Sequence, residues 1–157
     1  MANYVWSDLD IITVPSVRAV NNIPTLTHNI TVTNSGASHY VLTGTDRTST
    51  HSSANNPTVT LMIGDTINFT VNASGHPFFI KTAATTGTGD QASGVTNNGA
   101  QNGIVSWTPD TVGTYYYICR YHGAMVGTIN ATANTSKHVR VATTCLLYTS
   151  PSPRDIR

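Results

Sequence analysis

The sequence contains no glutamate at all, and its 157 residues include only two lysines and six leucines. Helices in soluble proteins are usually built from glutamate, lysine, leucine and alanine, so these shortages argue against a mainly helical fold. Charged residues make up only 10% of the chain, with eight basic against seven acidic. This small and balanced charge provides no field that would attract nucleic acid or an anionic membrane.

Long apolar segments are lacking as well. The chain has no run of about 18 apolar residues, the length that a membrane-spanning helix needs, so no membrane span is predicted. Residues 1–10 have neither a basic region nor an apolar stretch, and no signal peptide is therefore expected.

Threonine, asparagine and serine are abundant and together supply 54 residues, about a third of the chain. With 12 glycines and seven prolines, this composition predicts short strands and many turns. Strand signals occur at residues 30–33, 40–42, 58–63, 66–71, 78–80, 104–107, 114–118 and 126–129. Seven or eight short strands at this spacing predict an all-β sandwich or barrel of antiparallel strands. The Gly64-Asp65 pair between two alternating runs predicts a hairpin of residues 58–63 and 66–71.

The last thirteen residues differ in composition from the rest. Residues 145–157 read CLLYTSPSPRDIR and resemble one reading-frame translation of a transposon-based sequencing-library adaptor; a natural Ser/Pro tail is the alternative. Without them the chain has six basic and six acidic residues, and Cys119 has no second cysteine with which to form a disulfide. We therefore expect a leader in residues 1–27, one β-domain in residues 28–133, a linker or truncated continuation in residues 134–144, and a non-native tail.

One short segment carries the chemistry. Cys119-Arg-Tyr-His122-Gly-Ala-Met125 places a thiol, an imidazole and a thioether at three-residue steps between two predicted strands, and His76 follows an earlier strand. Soft sulfur favours Cu(I), and imidazole accepts both copper oxidation states. Two histidines and one cysteine form a trigonal plane with a weak axial methionine in blue-copper sites. These residues therefore indicate a copper site, while a closed structural zinc site does not normally use methionine.

Residues 28–133 resemble the cupredoxins, the blue-copper family that includes plastocyanin and amicyanin. The resemblance is carried by Gly75-His76 and by the run GTYYYICRYHGAMVG at residues 113–127, whose short Cys-x2-His-x2-Met loop is similar to that of amicyanin. It implies a Greek-key β-sandwich of about seven or eight strands, in a periplasmic or extracellular protein. It also implies one copper ion per domain, held by four residues, His76, Cys119, His122 and Met125.

The resemblance has one departure. Cupredoxins often carry an asparagine just after the first histidine ligand, where it forms a hydrogen bond across to the cysteine loop. This chain has Pro77 there, which has no backbone N–H and a fixed φ. The resemblance therefore does not indicate how the site is supported, or what its reduction potential is.

The function implied by the resemblance is single-electron transfer with a transient redox partner that docks near His122. Ala124, Val126 and Phe78 are expected to form an apolar rim there, and the low charge predicts weak docking. Catalysis is not expected, because the sequence shows no catalytic triad or paired carboxylates. The residues flanking Cys119 are Ile118 and Arg120, whereas multicopper oxidases and copper nitrite reductases have histidines there.

Two other functions stay open. The chain is alternatively a structural β-sandwich module of a larger extracellular or virion protein, with neighbouring domains and with copper binding that is non-redox or absent. A copper carrier is the third interpretation. The remaining histidines show no ligand spacing and are expected at the surface; they are His28, His39, His51 and His138.

Overall fold

A computed structural model describes residues 23–134, which form nine β-strands and no helix. The strands are β1 (Thr27–Ser35), β2 (His39–Thr45), β3 (Thr50–Asn55), β4 (Val59–Met62), β5 (Thr66–Asn72), β6 (Phe78–Lys81), β7 (Asn102–Trp107), β8 (Gly113–Cys119) and β9 (Val126–Thr132). The predicted leader up to residue 22, most of the linker and the adaptor-like tail lie outside the described residues. Within residues 23–134 there is no helix that could cross a membrane.

The strands form two sheets, with the order β3-β2-β1-β5-β7 in one and β4-β9-β8-β6 in the other. This confirms the predicted all-β sandwich. Most neighbouring strands are antiparallel, but β1 pairs with β5 and β4 pairs with β9 in parallel. The sheets are therefore mixed, and the expectation of an antiparallel sandwich was incomplete. Parallel pairs arise here because β4 to β8 alternate between the two sheets along the chain.

The predicted hairpin at Gly64-Asp65 is wrong. β4 pairs with β9 and β5 pairs with β1 and β7, so the chain passes from one sheet to the other at this turn. Alternation of apolar residues is the same whether two consecutive strands pair in one sheet or face each other across a core. The Asp65 carboxylate accepts the amide of Met62 at 2.8 Å and that of Leu26 at 2.8 Å, which stabilises the crossing turn.

The sequence patterns missed strand β3, which lies in the polar stretch between residues 44 and 57. It is the edge strand beside β2, and only His51 in it is buried. An edge strand needs few apolar residues, because its outer backbone groups face solvent and one of its neighbours is missing. No apolar alternation was therefore present to predict it.

An aromatic cluster joins the two sheets in the core. Phe78 of β6 lies 5.0 Å from Phe69, 5.0 Å from Tyr40 and 5.5 Å from Tyr117, measured between ring centroids. All four side chains are fully buried. Truncating such a phenylalanine to alanine typically costs about 3–5 kcal/mol of stability. Gly127 lies opposite Tyr117 on β9, and a Cβ atom there would overlap the tyrosine ring.

Two histidines that were expected at the surface are buried instead. His28 and His51 are each 6% exposed, and their Nε2 atoms lie 3.5 Å and 3.0 Å from the carboxylates of Asp65 and Asp46. A carboxylate on a neighbouring strand or turn makes burial of a histidine tolerable, and the sequence gives no local sign of this pairing. His39 is half-buried, and His138 lies outside the described residues.

The buried carboxylates of Asp46 and Asp65 also accept hydrogen bonds from backbone amides. Burial raises the pKa of Asp46, but hydrogen bonds from the amides of Thr48, Thr60 and Ser49 and from His51 outweigh it, so the pKa lies below its ordinary value of 3.8. These bonds stabilise the ionised form, and they are weakened when the carboxyl group is protonated.

The pKa of Asp65 is set by the same two opposing effects, burial and hydrogen bonding. Burial raises its pKa, but the amides of Met62 and Leu26, the positive charge of Arg47 and the nearby His28 together lower it below the ordinary value. The Arg47 Nε atom lies 3.3 Å from the Asp65 carboxylate.

Lys81, the last residue of β6, has a fully buried side chain. Its Nζ atom donates to the carbonyl oxygens of Thr85, Thr86 and Gly87 at 2.6, 3.3 and 3.5 Å, and it contacts the Thr85 hydroxyl at 3.1 Å. The loop after β6 is thereby folded around this one amino group. The amide of Gly87 in turn donates to the carbonyl of Arg120, which follows Cys119, at 2.8 Å.

We predict that stability falls in acid because of Asp46 and Asp65. Their folded-state pKa values are lower than those of the unfolded chain, so their contribution is complete above the ordinary value of 3.8 and is lost as the pH falls through the folded values. Urea unfolding of the metal-free protein at a series of pH values measures this loss. Asp46→Asn flattens the acid limb, whereas the exposed Asp110→Asn does not; equal profiles for Asp46→Asn and the wild type would contradict the prediction.

We also predict that Lys81→Met lowers the free energy of unfolding by about 2–3 kcal/mol, because the carbonyl groups of Thr85, Thr86 and Gly87 lose the donor that they share. Urea unfolding of the metal-free protein measures this difference. Arg120→Met is the control, since it removes one positive charge from an exposed side chain. An equal effect of the two substitutions would show that the Lys81 contacts contribute nothing specific.

Candidate metal centre

The predicted ligands come from two separate segments at one end of the sandwich. His76 lies in the turn that joins β5 of one sheet to β6 of the other, Cys119 is the last residue of β8, and His122 and Met125 lie in the loop before β9. Phe78 pairs directly with Cys119 across the β6–β8 ladder. This pairing brings the two segments side by side.

Local backbone geometry shapes the His76 turn. Gly75 has a φ of +82°, in the left-handed region that glycine adopts without strain. The His76 amide donates to the Ala73 carbonyl at 3.0 Å, and the Gly75 amide donates to the Gln101 side chain at 2.6 Å. Gly75 therefore gives this turn a backbone conformation that other residues adopt only with strain.

The second segment is a hairpin loop closed by two backbone hydrogen bonds. The Cys119 amide donates to the Met125 carbonyl at 3.0 Å, and the Met125 amide donates to the His122 carbonyl at 3.1 Å. The β8–β9 register, in which Ile118 lies opposite Val126, sets the ends of this loop. The three-residue steps noted in the sequence thus become one tight turn.

Three donor atoms converge. The Nδ1 atoms of His76 and His122 lie 3.1 Å apart, and the Cys119 Sγ atom lies 3.8 Å and 3.5 Å from them. Cys119 is fully buried, and both histidines are half-buried. The Tyr121 amide points at the Cys119 sulfur at 3.5 Å.

These spacings fit a single metal ion. Nitrogen and sulfur ligands lie about 2.0–2.3 Å from a metal such as zinc, so two donors of one ion can be at most about 4 Å apart, or slightly more where sulfur is involved. All three measured distances fall inside this limit. Within residues 23–134 this is the one group of three or more histidine, cysteine or acidic side chains with metal-ligand spacing. One thiol and two imidazoles also match the softness that copper prefers.

Burial and the neighbouring His122 both lower the pKa of His76. Each effect disfavours the imidazolium form, burial through lost hydration and His122 through repulsion of a second positive charge. A neutral imidazole is the form that binds metals. The protein therefore holds His76 in a state suited to a ligand.

Met125 is placed differently from the other three. Its side chain is fully buried and belongs to the hydrophobic core, while its backbone closes the ligand loop. The structure thus brings together His76, Cys119 and His122, and it puts Met125 at the inner end of the same loop. The ligand roles of all four residues stay predictions.

The expected apolar rim needs a correction at Phe78. Phe78 is fully buried at the centre of the aromatic cluster, so it cannot line a docking surface. Ala124 is exposed, Val126 is half-buried, and Tyr121 beside His122 is 58% exposed. Tyr121 was missed because a single tyrosine in a loop is as easily buried as exposed.

Pro77 does connect the two segments, through its carbonyl group. The Arg120 amide donates to the Pro77 carbonyl at 3.1 Å, which continues the β6–β8 ladder past Cys119. Lys81 acts on the other side of Arg120, by ordering the loop whose Gly87 amide bonds to the Arg120 carbonyl. The sequence signal for Lys81 was a lysine that ends an otherwise apolar run, Phe78-Phe-Ile80.

No protein-family model matches the chain, and no curated protein matches its sequence. Among solved structures, rusticyanin from Thiobacillus ferrooxidans is 22% identical over 68% of this chain and 77% of its own, with a TM-score of 0.44. Reduced rusticyanin is 23% identical over 68% and 79%, with a TM-score of 0.45. A purple cupredoxin from Nitrosopumilus maritimus is 17% identical over 66% and 98%, with a TM-score of 0.42.

The arrangement of strands and donor atoms matches the expectation raised by the motifs. Two mixed sheets pack around one core, and the histidine, cysteine and histidine donors meet at one end, beside the buried methionine. The described residues thus form the β-sandwich that the resemblance to the cupredoxins implied.

Proposed function

We propose that residues 28–133 form a mononuclear type 1 copper domain that transfers single electrons. The observation that carries the proposal is the convergence of the His76 Nδ1, His122 Nδ1 and Cys119 Sγ atoms within 3.8 Å of one another. Copper bound there would supply a one-electron couple between Cu(I) and Cu(II). Such a domain is an electron carrier and not a catalyst.

The protein's part is to hold the donors still. Cys119 is anchored by the ladder to Phe78 and by its amide bond to Met125, and His76 is held in a turn that ends at the buried β6 strand. Donors fixed in this way by packed strands change position little between two charge states. A small structural change means a small barrier to electron transfer.

Burial divides the site into a protected and an accessible side. Cys119 and Met125 have no exposed surface, which keeps water away from the sulfur ligands. His122 is half-buried and flanked by exposed Tyr121 and Ala124. We propose that His122 is the route for the electron and that a redox partner docks transiently on this side.

We propose that Met125 would hold copper as a fourth, weak ligand. It is fully buried and its position in the loop is determined by bonds to both His122 and Cys119. Its thioether would then tune the reduction potential without being required for binding, because a thioether binds copper more weakly than a thiolate or an imidazole does.

The first test of the proposal is the addition of Cu(II) to the purified metal-free protein. We expect an intense visible absorption from charge transfer between thiolate and copper, together with a one-copper stoichiometry. Cys119→Ala abolishes the band, because it removes the thiolate, whereas Cys145→Ala is the matched cysteine control and retains it. The proposal is contradicted if the folded wild-type protein shows no band, or if the band survives in Cys119→Ala. Either result favours the structural-module interpretation.

A second test concerns Met125 as a ligand. Met125→Leu keeps the hydrophobic volume and should retain the visible band. The reduction potential should rise, because the loss of one donor destabilises Cu(II) more than it destabilises Cu(I). Met62→Leu is the matched control, since Met62 is a nearly buried methionine in β4. Voltammetry of both variants measures the shift. Equal potentials in Met125→Leu and the wild type would show that Met125 only packs in the core.

A further inference from the structure

The two segments that carry the donor atoms need a connection beyond the β6–β8 ladder. His76 precedes the first residue of β6, and His122 lies past the end of β8, so ladder hydrogen bonds hold neither. Pro77 offers neither a backbone N–H nor a polar side chain for a cross-link. Its carbonyl accepts the Arg120 amide, a bond that joins the segments next to Cys119 but does not reach His76 or the His122 turn. A further connection between those two parts comes from outside both segments.

Tyr40 of β2 reaches the first segment. Its hydroxyl donates to the His76 carbonyl at 3.0 Å. The ring is fully buried and packs edge-on against Phe78 at 5.0 Å and Tyr117 at 6.3 Å, so the hydroxyl has little freedom to move. A rigid core side chain thus holds the backbone of the His76 turn.

Asn56, just after β3, reaches the second segment. Its Nδ2 atom donates to the carbonyl of Ala124 at 3.0 Å, across 68 positions of sequence. Ala124 lies inside the turn that the Met125 amide and the His122 carbonyl close. A bond to Ala124 therefore restrains the part of the loop that carries both His122 and Met125.

Asn56 and Tyr40 are joined to each other by two hydrogen bonds. The backbone N–H of Tyr40 donates to the Asn56 Oδ1 atom at 2.8 Å, and the backbone N–H of Asn56 donates to the Tyr40 carbonyl at 2.8 Å. The side-chain amide has one orientation only, since its oxygen faces an N–H group and its nitrogen faces a carbonyl. Asn56 has a φ of +43°, in the left-handed region that asparagine tolerates better than most residues.

We infer that Asn56 and Tyr40 form a positioning clamp that holds the His76 turn and the Cys119–Met125 loop in register. The path runs from the Ala124 carbonyl through Asn56 and Tyr40 to the His76 carbonyl, every step a hydrogen bond of 3.0 Å or less. The clamp supplies a cross-link of the kind that cupredoxins often obtain from an asparagine at the position that Pro77 occupies in this chain. Its metal-related role rests on the proposed copper site, while its mechanical role does not.

The metal-free protein tests the clamp directly. Asn56→Asp keeps the shape and the acceptor for the Tyr40 amide but replaces the donor to Ala124 with an oxygen. We expect the Met125 and Cys119 amides, which close the loop, to exchange hydrogen about five- to tenfold faster, as the loss of one net hydrogen bond implies. Amides in the β1–β5 ladder keep their wild-type rates. Amide hydrogen exchange measured by NMR on the full chain gives both rates.

The matched control is Asn55→Asp, an exposed neighbour in β3 that makes the same change of charge. Its loop amides should exchange at the wild-type rate. Unchanged loop exchange in Asn56→Asp overturns the inference. Equal acceleration of loop and β1–β5 amides overturns it as well, because Asn56 would then contribute only to general stability.

The copper-bound protein provides a second measurement. Asn56→Asp and Tyr40→Phe, which removes only the hydroxyl, should each alter the visible band and the Cu(II) electron paramagnetic resonance spectrum, and Asn55→Asp should not. Wild-type spectra in both clamp variants overturn the role at the metal. Failure of the wild-type protein to bind copper refutes the proposed function instead, and leaves the metal-free exchange result as the test of the clamp.

Discussion

The packing of Phe78 against Tyr117 is the contact on which the rest of the site depends. The two rings stack 5.5 Å apart in the core, and Tyr40 and Phe69 enclose them. Phe78 lies two residues after His76, and Tyr117 lies two residues before Cys119. The apolar burial that joins the sheets therefore also sets the distance between an imidazole and a thiol, so stability and donor geometry come from the same contact.

Polar side chains then restrain the backbone of the loops around the site, which the aromatic core does not hold. Lys81 orders the loop that supports the Arg120 carbonyl, and Tyr40 and Asn56 reach the His76 and Ala124 carbonyls. Each of these groups bonds to backbone, and a restrained backbone limits the positions of the side chains that it carries. The donors consequently converge through the folding of the chain itself, which lowers the cost of arranging them around a metal ion.

Much of the fold was predictable from the residues. Eight strands, their approximate ends and the sandwich class follow from apolar alternation and turn residues, since burial of one strand face is encoded locally. The failures have two causes. The crossing at Gly64-Asp65 and the burial of His28 depend on partners distant in sequence, and alternation contains no information about which strand becomes a neighbour. Strand Thr50–Asn55 and His51 have partners nearby in sequence, but a polar edge strand shows no apolar alternation that would indicate them.

The sequence by itself indicated three of the four candidate donors, because Cys119, His122 and Met125 lie at three-residue steps between two predicted strands. It also determined the all-β class, through its composition and its period of two. Only the tertiary structure decided that His76 meets this loop, that Phe78 is core and not surface, and that Asn56 and Tyr40 connect the two segments. These features depend on the crossing of the chain between sheets, and they exist only once the aromatic core has brought the sheets together.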